Sequence, residues 1–278
     1  MKTICLLDRN VVSDIRMFFD TGTSPNLALA RDQDKPYNII STLSSVLEGG
    51  QGNVQSLLDF HETTEQEAKL ISLFYRKASV DSEFMLKNTL EAYSSLYQDI
   101  RNRVALFSPI IEMAQQKFDL HNTPSKSRAL ILEQEILGLA RSRKIPIRGV
   151  PGIGVISAIY GNPHSRKILK PNNLISSDEE KSCAAYNSIY DFEIVKRVLM
   201  LRATSLANSG LRVKLVTRDK GLKGFLECME SSKPKKMIKD LAEDVSVEFE
   251  IEITEDLFPT LRRNEDRLQL KERMNSWP

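Results

Sequence analysis

The sequence contains few of the residues from which disulfide frameworks and zinc sites are built. Among 278 residues there are only three cysteines and three histidines. These residues are Cys5, Cys183, Cys228, His61, His121 and His164. The cysteines lie far apart without a Cys-x-x-Cys pair, and the histidines lack the spacing of zinc ligands, so neither kind of site is supported. We expect a protein of the reducing cytoplasm.

The sequence also lacks a long apolar run and a dominant charge. No stretch reaches the roughly 18 consecutive apolar residues of a transmembrane helix, and Met1-Lys2 leads into a short strand without a signal-peptide cleavage site. The sequence has 39 lysines and arginines and 37 aspartates and glutamates, which gives a formal net charge of +2. A net charge this small does not indicate whether the partner is acidic or basic. Because 41% of the residues are hydrophobic, the chain can bury a sizeable core, and no membrane partner is expected.

Two stretches that lie far apart in the chain, one apolar and one rich in β-branched residues, each end at an aspartate. The first is Thr3–Leu7, followed by Asp8, and the second is Leu211–Thr217, followed after one residue by Asp219. Both are predicted to be β-strands of an α/β fold, in which ligands bind at the carboxyl ends of the strands. The two carboxylates are therefore expected to converge on one hard cation, Mg²⁺ or Mn²⁺.

A third candidate acid, Glu48, follows a segment with helical periodicity. Apolar residues in the range 37–47 define one helical face, and Gly49 and Gly50 are expected to end that helix. At the carboxyl end of a helix the macrodipole disfavours an anion by about 0.3–1 kcal/mol unless a cation or donor compensates. Glu48 is therefore either such a compensated acid or an exposed glutamate at a frayed end, and both interpretations stay open.

The fourth candidate acid, Asp191, lies in a long predicted helix from Cys183 to about Asn208. It stands beside Tyr190 and Phe192 in the apolar part of that helix, where charged side chains are uncommon. An acid at this position either caps or coordinates. The register leaves Glu193 as the alternative to Asp191.

The spacing of apolar residues divides the rest of the sequence into segments of different predicted secondary structure. Residues 53–144 carry almost only helical patterns and are predicted to be a large helical insertion into a core of residues 1–50 and 145–253. Residues 245–253 alternate apolar and acidic side chains, which predicts a strand with one solvated face at the sheet edge. Residues 254–278 are predicted to be a charged tail. We expect these parts to form a single domain.

The segment that follows the insertion is rich in glycine and in basic residues. Lys144–Ile147 is predicted to begin a further strand or an extended segment. Residues 148–158 resemble a helix-hairpin-helix DNA-binding turn, but their apolar character favours a glycine-rich connection packed under the sheet. From Arg141 to Lys170 there are seven basic residues and no acid. Together with His164 and the lysines of residues 233–239, they favour contact with phosphate backbones.

The order of the four acids resembles that of the PIN domain family of metal-dependent ribonucleases. The likeness rests on Leu6-Leu7-Asp8-Arg9-Asn10, on Ile40 to Glu48, on Asp191 with its helix and on Leu215-Val216-Thr217-Arg218-Asp219. It implies a PIN-like three-layer sandwich with a mostly parallel central sheet. The helical insertion departs from a minimal member of that family and suggests a relative with its own substrate or partner.

The same resemblance implies a nuclease that hydrolyses phosphodiester bonds with Mg²⁺ or Mn²⁺. Asp8 and Asp219 would be the central ligands, while Glu48 and Asp191 would bind a second ion or orient the attacking water. Thr217 is expected to hydrogen-bond to a carboxylate or a phosphate. Asn10 is expected to steady the turn after Asp8, or to serve only as a turn cap.

Two other functions stay open at this point. A haloacid-dehalogenase-like phosphatase also has an aspartate after its first strand, but that resemblance requires a second acid at the position of Asn10. A non-catalytic nucleic-acid-binding or protein-binding module would keep the acids only as structural caps. We expect RNA in preference to DNA as the partner, and a homo-oligomer or a protein bound through the helical insertion remains an alternative.

Overall fold

The computed structural model describes residues 2–48, 55–170, 177–208, 210–241 and 244–276. The chain divides into two compact units. The first consists of Met1–Asn102 and Met200–Asp219, and the second of Arg103–Leu199 and Lys220–Pro278. The boundary after Asn102 falls inside the predicted helical insertion, and the single domain stays a prediction. Among the described residues, no helix combines the length and the apolar character needed to cross a bilayer.

The strands of the first unit are β1 (Thr3–Leu7), β2 (Asn38–Ser41), β3 (Ser79–Val80) and β4 (Arg212–Val216). Its helices are α1 (Arg9–Thr21), α2 (Leu27–Arg31), α3 (Leu43–Glu48), α4 (Leu57–Phe74), α5 (Ser82–Lys87) and α6 (Thr89–Glu91). A π-helical stretch, Ala92–Tyr97, then leads into α7 (Gln98–Lys117), which continues into the second unit.

The later helices are α8 (Lys126–Arg143), α9 (Val150–Ile159), α10 (Pro163–Leu169), α11 (Asp178–Asn208), α12 (Lys220–Ser231) and α13 (Asn264–Asn275). Two further strands are β5 (Lys235–Leu241) and β6 (Asp244–Glu250). The last residues of α11 belong to the first unit, and the other elements of this group lie in the second.

The first unit is built on a four-stranded parallel sheet in the order β3-β2-β1-β4. Its central strand β1 pairs with β2 on one side and with β4 on the other, so that Cys5 lies opposite both Ile40 and Lys214. The successive residues Cys5, Leu6 and Leu7 are all buried, so both faces of β1 are covered, and this explains why its apolar run is continuous. Cys5 and Leu7 pack with Val12 and Ile15 of α1 in the core of this unit. The predicted α/β class is confirmed.

The helix predicted over residues 37–47 is wrong in its first half. Residues 38–41 form β2, because their backbone pairs with β1 in parallel register, with Thr3 opposite Asn38 and Leu6 opposite Ser41. Only Leu43–Glu48 is helical. The apolar residues that suggested one helical face divide between the two elements, and Ile40 and Leu47 are both fully buried. Strand pairing has overridden the local periodicity.

Residues 144–147 form no strand, and residues 145–146 are without regular structure. The glycine-rich connection predicted over residues 148–158 is wrong, because most of it belongs to α9. Lys144 is the left-handed cap that ends α8, with φ of 55°, and a turn leads from it into α9. All ten residues of α9 are buried. A Cβ on Gly152 would lie 2.4 Å from the carbonyl oxygen of Ile147, and one on Gly154 would lie 2.3 Å from the ring of Phe192. These glycines let a buried helix approach its neighbours closely.

The strand predicted over residues 245–253 is confirmed for residues 245–250, which belong to β6, but its place is different. It pairs with β5 in a separate two-stranded antiparallel sheet, and not with the four-stranded sheet. Phe249 and Ile251 are buried while Glu250 and Glu252 are exposed, as the alternation predicts. The predicted tail contains α13, which is held through Arg273 to the buried Glu133 at 2.8 and 3.1 Å.

Candidate carboxylate site

Asp8 ends β1 and begins α1, and its carboxylate is almost completely buried at 5% exposure. Its Oδ1 accepts a hydrogen bond from the backbone N–H of Arg9 at 2.8 Å, which makes it the N-cap of α1. Its Oδ2 accepts hydrogen bonds from the hydroxyl of Thr217 and the amide of Asn10. The carboxylate is therefore held in one orientation at the carboxyl end of the central strand.

The turn after β4 is joined to this carboxylate by side-chain hydrogen bonds. The amide of Asn10 donates to Thr217 Oγ1 at 3.1 Å, and its Oδ1 accepts the backbone N–H of Arg218 at 3.1 Å. Thr217 Oγ1 also accepts the backbone N–H of Asp219 at 2.9 Å. The predicted bond from Thr217 to a carboxylate is confirmed. Asn10 lies in the first turn of α1 and steadies the turn after β4, and not a turn after Asp8 as predicted. Asp8 and Asp219 are thus brought to one edge of the sheet.

The electrostatics of Asp8 reflect this arrangement. Burial raises the pKa of Asp8, and the neighbouring charge of Asp219 raises it further. The hydrogen bonds from Thr217, Arg9 and Asn10 act in the opposite direction, because they stabilise the ionised form. A buried carboxylate whose charge is destabilised by a neighbouring acid forms a site at which a cation is favoured.

Glu48 is the last residue of α3 and is partly buried, so the interpretation of it as an exposed acid is wrong. Burial raises the pKa of Glu48 to about 8, and the charges of Asp8 and Glu67 contribute to that rise. The charge of Arg9 and a hydrogen bond from its backbone N–H oppose the rise. Glu48 therefore belongs to the same electrostatic cluster as Asp8.

A further buried acid of this cluster, Glu67, was missed in the sequence. It lies on α4 at 2% exposure, and its Oε1 accepts a hydrogen bond from Ser45 at 2.9 Å. Its buried Oε2 has no hydrogen-bond partner in the described part of the chain. Burial raises the pKa of Glu67 to about 7. The sequence feature that could have revealed Glu67 is its position beside Ala68 and Ile71 on the buried face of α4. Acidic residues are uncommon on such a face.

Asp81 was also missed, although it directly follows β3 as Asp8 follows β1. Its backbone N–H donates to the carbonyl of Ile40 at 3.0 Å, which places it at the carboxyl end of β2 and β3. Burial raises the pKa of Asp81 to about 6, while a hydrogen bond with the side chain of Ser41 opposes the rise. The strand before it is only two residues long, too short for a sequence pattern to reveal.

Asp191 and its alternative Glu193 both lie on α11, in the second unit. Glu193 is fully buried and forms ion pairs with Lys196 and, at 3.6 Å, with Arg103. Its charge is therefore compensated within its own unit. Asp191 is partly buried, and its role as a site residue stays a prediction.

The donor chemistry of the cluster fits a divalent cation. Among the described residues, no three acidic, cysteine or histidine side chains stand close enough together to enclose an ion. Mg²⁺, however, is commonly bound through only one or two carboxylates together with water and substrate phosphates. Asp8 and Asp219 supply hard oxygen donors of that kind. The unpartnered Oε2 of Glu67 and the raised pKa of Glu48 indicate a shortage of positive charge that such a cation would offset.

The predicted basic region divides into buried and exposed members. Arg166 is buried, and Arg148 is partly buried and donates to the carbonyl of Met274 at 2.7 and 3.2 Å. The ring of His164 packs against Gly224. The exposed bases of the segment are Arg141, Arg143, Lys144, Lys167 and Lys170. Their contact with phosphate backbones stays a prediction.

No family model, curated protein or solved structure matches this chain. The assignment of a function therefore depends on the carboxylate site and on the place of that site in the sheet.

Proposed function

We propose that this protein is a metal-dependent nuclease that hydrolyses phosphodiester bonds of RNA or another single-stranded nucleic acid. The observation that carries the proposal is the position of Asp8 and Asp219 at the carboxyl ends of β1 and β4. In the order β3-β2-β1-β4, the chain moves outward from β1 to β3 and then returns to the other side of β1. The direction of progression therefore switches between β1 and β4. Open α/β sheets bind their ligands in the crevice at such a switch.

The residues of the site have distinct proposed roles. A bound Mg²⁺ or Mn²⁺ activates water and stabilises the leaving oxygen in phosphodiester hydrolysis. Asp8 and Asp219 would hold this ion. Asp8 Oδ1 accepts the N–H of Arg9 and, with about two acceptor positions per oxygen, retains one for a cation. Glu48, with a pKa of about 8, is suited to exchange a proton with the attacking water near neutral pH.

Other parts of the proposal depend on the resemblance to the PIN domain family. They are the three-layer sandwich, the role of Asp191 at a second ion or at the attacking water, and the preference for RNA over DNA. A cytoplasmic location fits the buried thiols of Cys5 and Cys228. A homo-oligomer or a protein partner that binds through residues 53–144 remains part of the same proposal.

The environment of Asn10 argues against the phosphatase. Its amide nitrogen donates to Asp8 and Thr217, and its oxygen accepts the N–H of Arg218. An amide used in this way holds the turn together and has no acidic proton to give to a leaving group. A non-catalytic binding module is the outcome that the following experiment would reveal.

The test is a titration of the purified protein with Mg²⁺ and Mn²⁺ against labelled single-stranded RNA and DNA. The variants are Asp8→Asn and Asp219→Asn, in which an amide of nearly the same shape replaces a carboxylate. Asparagine is also a good N-cap, so the start of α1 is preserved in Asp8→Asn. We expect cleavage to fall by about 100-fold or more in each variant, because a ligand of the ion is lost. RNA affinity measured in EDTA should equal or exceed that of the wild type.

The matched control is Asp20→Asn, which removes an exposed carboxylate from the same helix α1. This variant should cleave as the wild type does. If Asp8→Asn and Asp219→Asn also cleave as the wild type does, the nuclease assignment is wrong. If the wild type binds RNA but cleaves neither substrate with either metal, the protein is a binding module.

A further inference from the structure

A second polar feature, in the second unit, is the buried guanidinium of Arg166 on α10. This residue is 7% exposed, and the described part of the chain places no carboxylate within 4.0 Å of it. Its Nε donates to the carbonyl of Ala158 at 2.8 Å, and its Nη1 donates to Thr123 Oγ1 at 3.3 Å. A guanidinium has five N–H donors. These two bonds therefore leave donors of a buried cation available.

This arrangement is costly without a counter-charge. Burial lowers the pKa of Arg166, and the charge of Asp119 opposes that change. Asp119 is exposed, and its carboxylate already accepts hydrogen bonds from the backbone of His121 and from both the backbone and the side chain of Asn122. Buried cations are normally paired with an anion. The bond to Ala158 caps the carboxyl end of α9 and offsets part of this cost. It uses only one of the five N–H donors of the guanidinium, however.

The guanidinium lines a cleft with a volume of about 290 Å³. A second arginine, Arg128 of α8, lines the same cleft. Arg128 is exposed, and its side chain forms no hydrogen bond or ion pair with the described residues. Apolar side chains of Phe118, Leu132 and Ile159 form other parts of the wall. A cleft with apolar walls and a few convergent polar groups is typical of a small-ligand site.

We infer that this cleft binds a phosphate group, with Arg166 as its buried anchor and Arg128 as the second cation. Arginine binds phosphate oxygens through two parallel N–H donors, a geometry that both side chains can present. Lys117 also lines the cleft and adds positive charge, although Glu135 pairs with it at 3.1 Å. The phosphate can belong to a small phosphorylated molecule or to a nucleic-acid backbone. This inference does not depend on the proposed nuclease activity.

The test is calorimetric titration of the full-length protein in EDTA, which prevents divalent cations from drawing a phosphate to the carboxylate site. Three probes are compared: inorganic phosphate, adenosine 5′-monophosphate, and a single-stranded oligonucleotide without a terminal phosphate. The variants are Arg128→Gln, which alters only an exposed side chain, and Arg166→Lys, which keeps the positive charge but removes the two parallel N–H donors of the guanidinium. The matched control, Lys271→Gln, removes an exposed positive charge from α13, outside the cleft.

We expect saturable binding of at least one probe, weakened about tenfold or more by Arg128→Gln and by Arg166→Lys, because each loses a charge-assisted contact. Lys271→Gln should bind as the wild type does. Tighter binding of phosphate or the monophosphate identifies a small phosphorylated molecule as the ligand, and binding of the oligonucleotide alone identifies a backbone phosphate. The inference is overturned if no probe binds, or if Arg128→Gln and Lys271→Gln bind the best probe equally well.

Discussion

Replacement of Glu48 by glutamine is expected to remove much of the pH dependence of stability in the metal-free protein. The pKa of Glu48 is about 8 in the folded state, raised from its ordinary value of 4.5. Because the folded state holds this proton more tightly than the unfolded state, its contribution to stability is fully present below pH 4.5. That contribution is lost as the pH rises to 8. At about 1.36 kcal/mol per pH unit, the loss amounts to at most about 5 kcal/mol.

The measurable loss should be smaller, since water and side-chain movement around a partly exposed carboxyl relieve part of the cost. We expect the wild type in EDTA to lose about 2–4 kcal/mol more unfolding free energy between pH 5 and pH 8 than Glu48→Gln does. Urea unfolding at intervals of half a pH unit measures this difference. Glu67, with a pKa of about 7, titrates in the same range and is coupled to Glu48, so the double variant should not be additive.

The control is Glu62→Gln, which removes an exposed carboxylate from α4. Its stability should follow the wild-type curve at every pH. Added Mg²⁺ should stabilise the wild type most at pH 8, where the cluster is ionised, and should stabilise Glu48→Gln less. Parallel curves for the wild type and Glu48→Gln would refute the electrostatic reasoning, because they would mean that Glu48 titrates alike in the folded and unfolded states.

Three further predictions concern the second unit, two on packing and one on a buried ion pair. Gly154→Ala should lower the unfolding free energy by about 1–3 kcal/mol, because the added Cβ would lie 2.3 Å from the ring of Phe192. Gly138→Ala, on α8 with no atom near its added Cβ, should be neutral or stabilising by up to about 1 kcal/mol in the same urea titration. Arg273→Gln should cost about 3–5 kcal/mol, because it leaves the buried Glu133 without its cation. A loss below about 1 kcal/mol would show that α13 contributes little to the fold.

The sequence correctly predicted those elements whose own residues form a recognisable pattern, without reference to a neighbouring element. The strand that ends at Asp8 is a continuous apolar run because β1 is buried on both faces. In β4, by contrast, exposed Arg212 and Lys214 alternate with buried Val213 and Val216, the pattern of a strand with one solvated face. The helical part of residues 37–47 was visible, but β2 was not. Its residues could satisfy either a helical face or a strand, and only pairing with β1 decides between them.

The sequence by itself determined the α/β class and two of the acids at the sheet edge, because buried strands and their terminal residues form a local pattern. Only the tertiary structure decided that Glu67 is a buried acid and Asp81 a partly buried acid of the same unit, and that Arg166 is a buried cation beside a cleft. An acid or an arginine looks the same in a sequence whether it is solvated or buried. Its chemistry changes when distant elements pack over it and remove the water that would otherwise stabilise its charge.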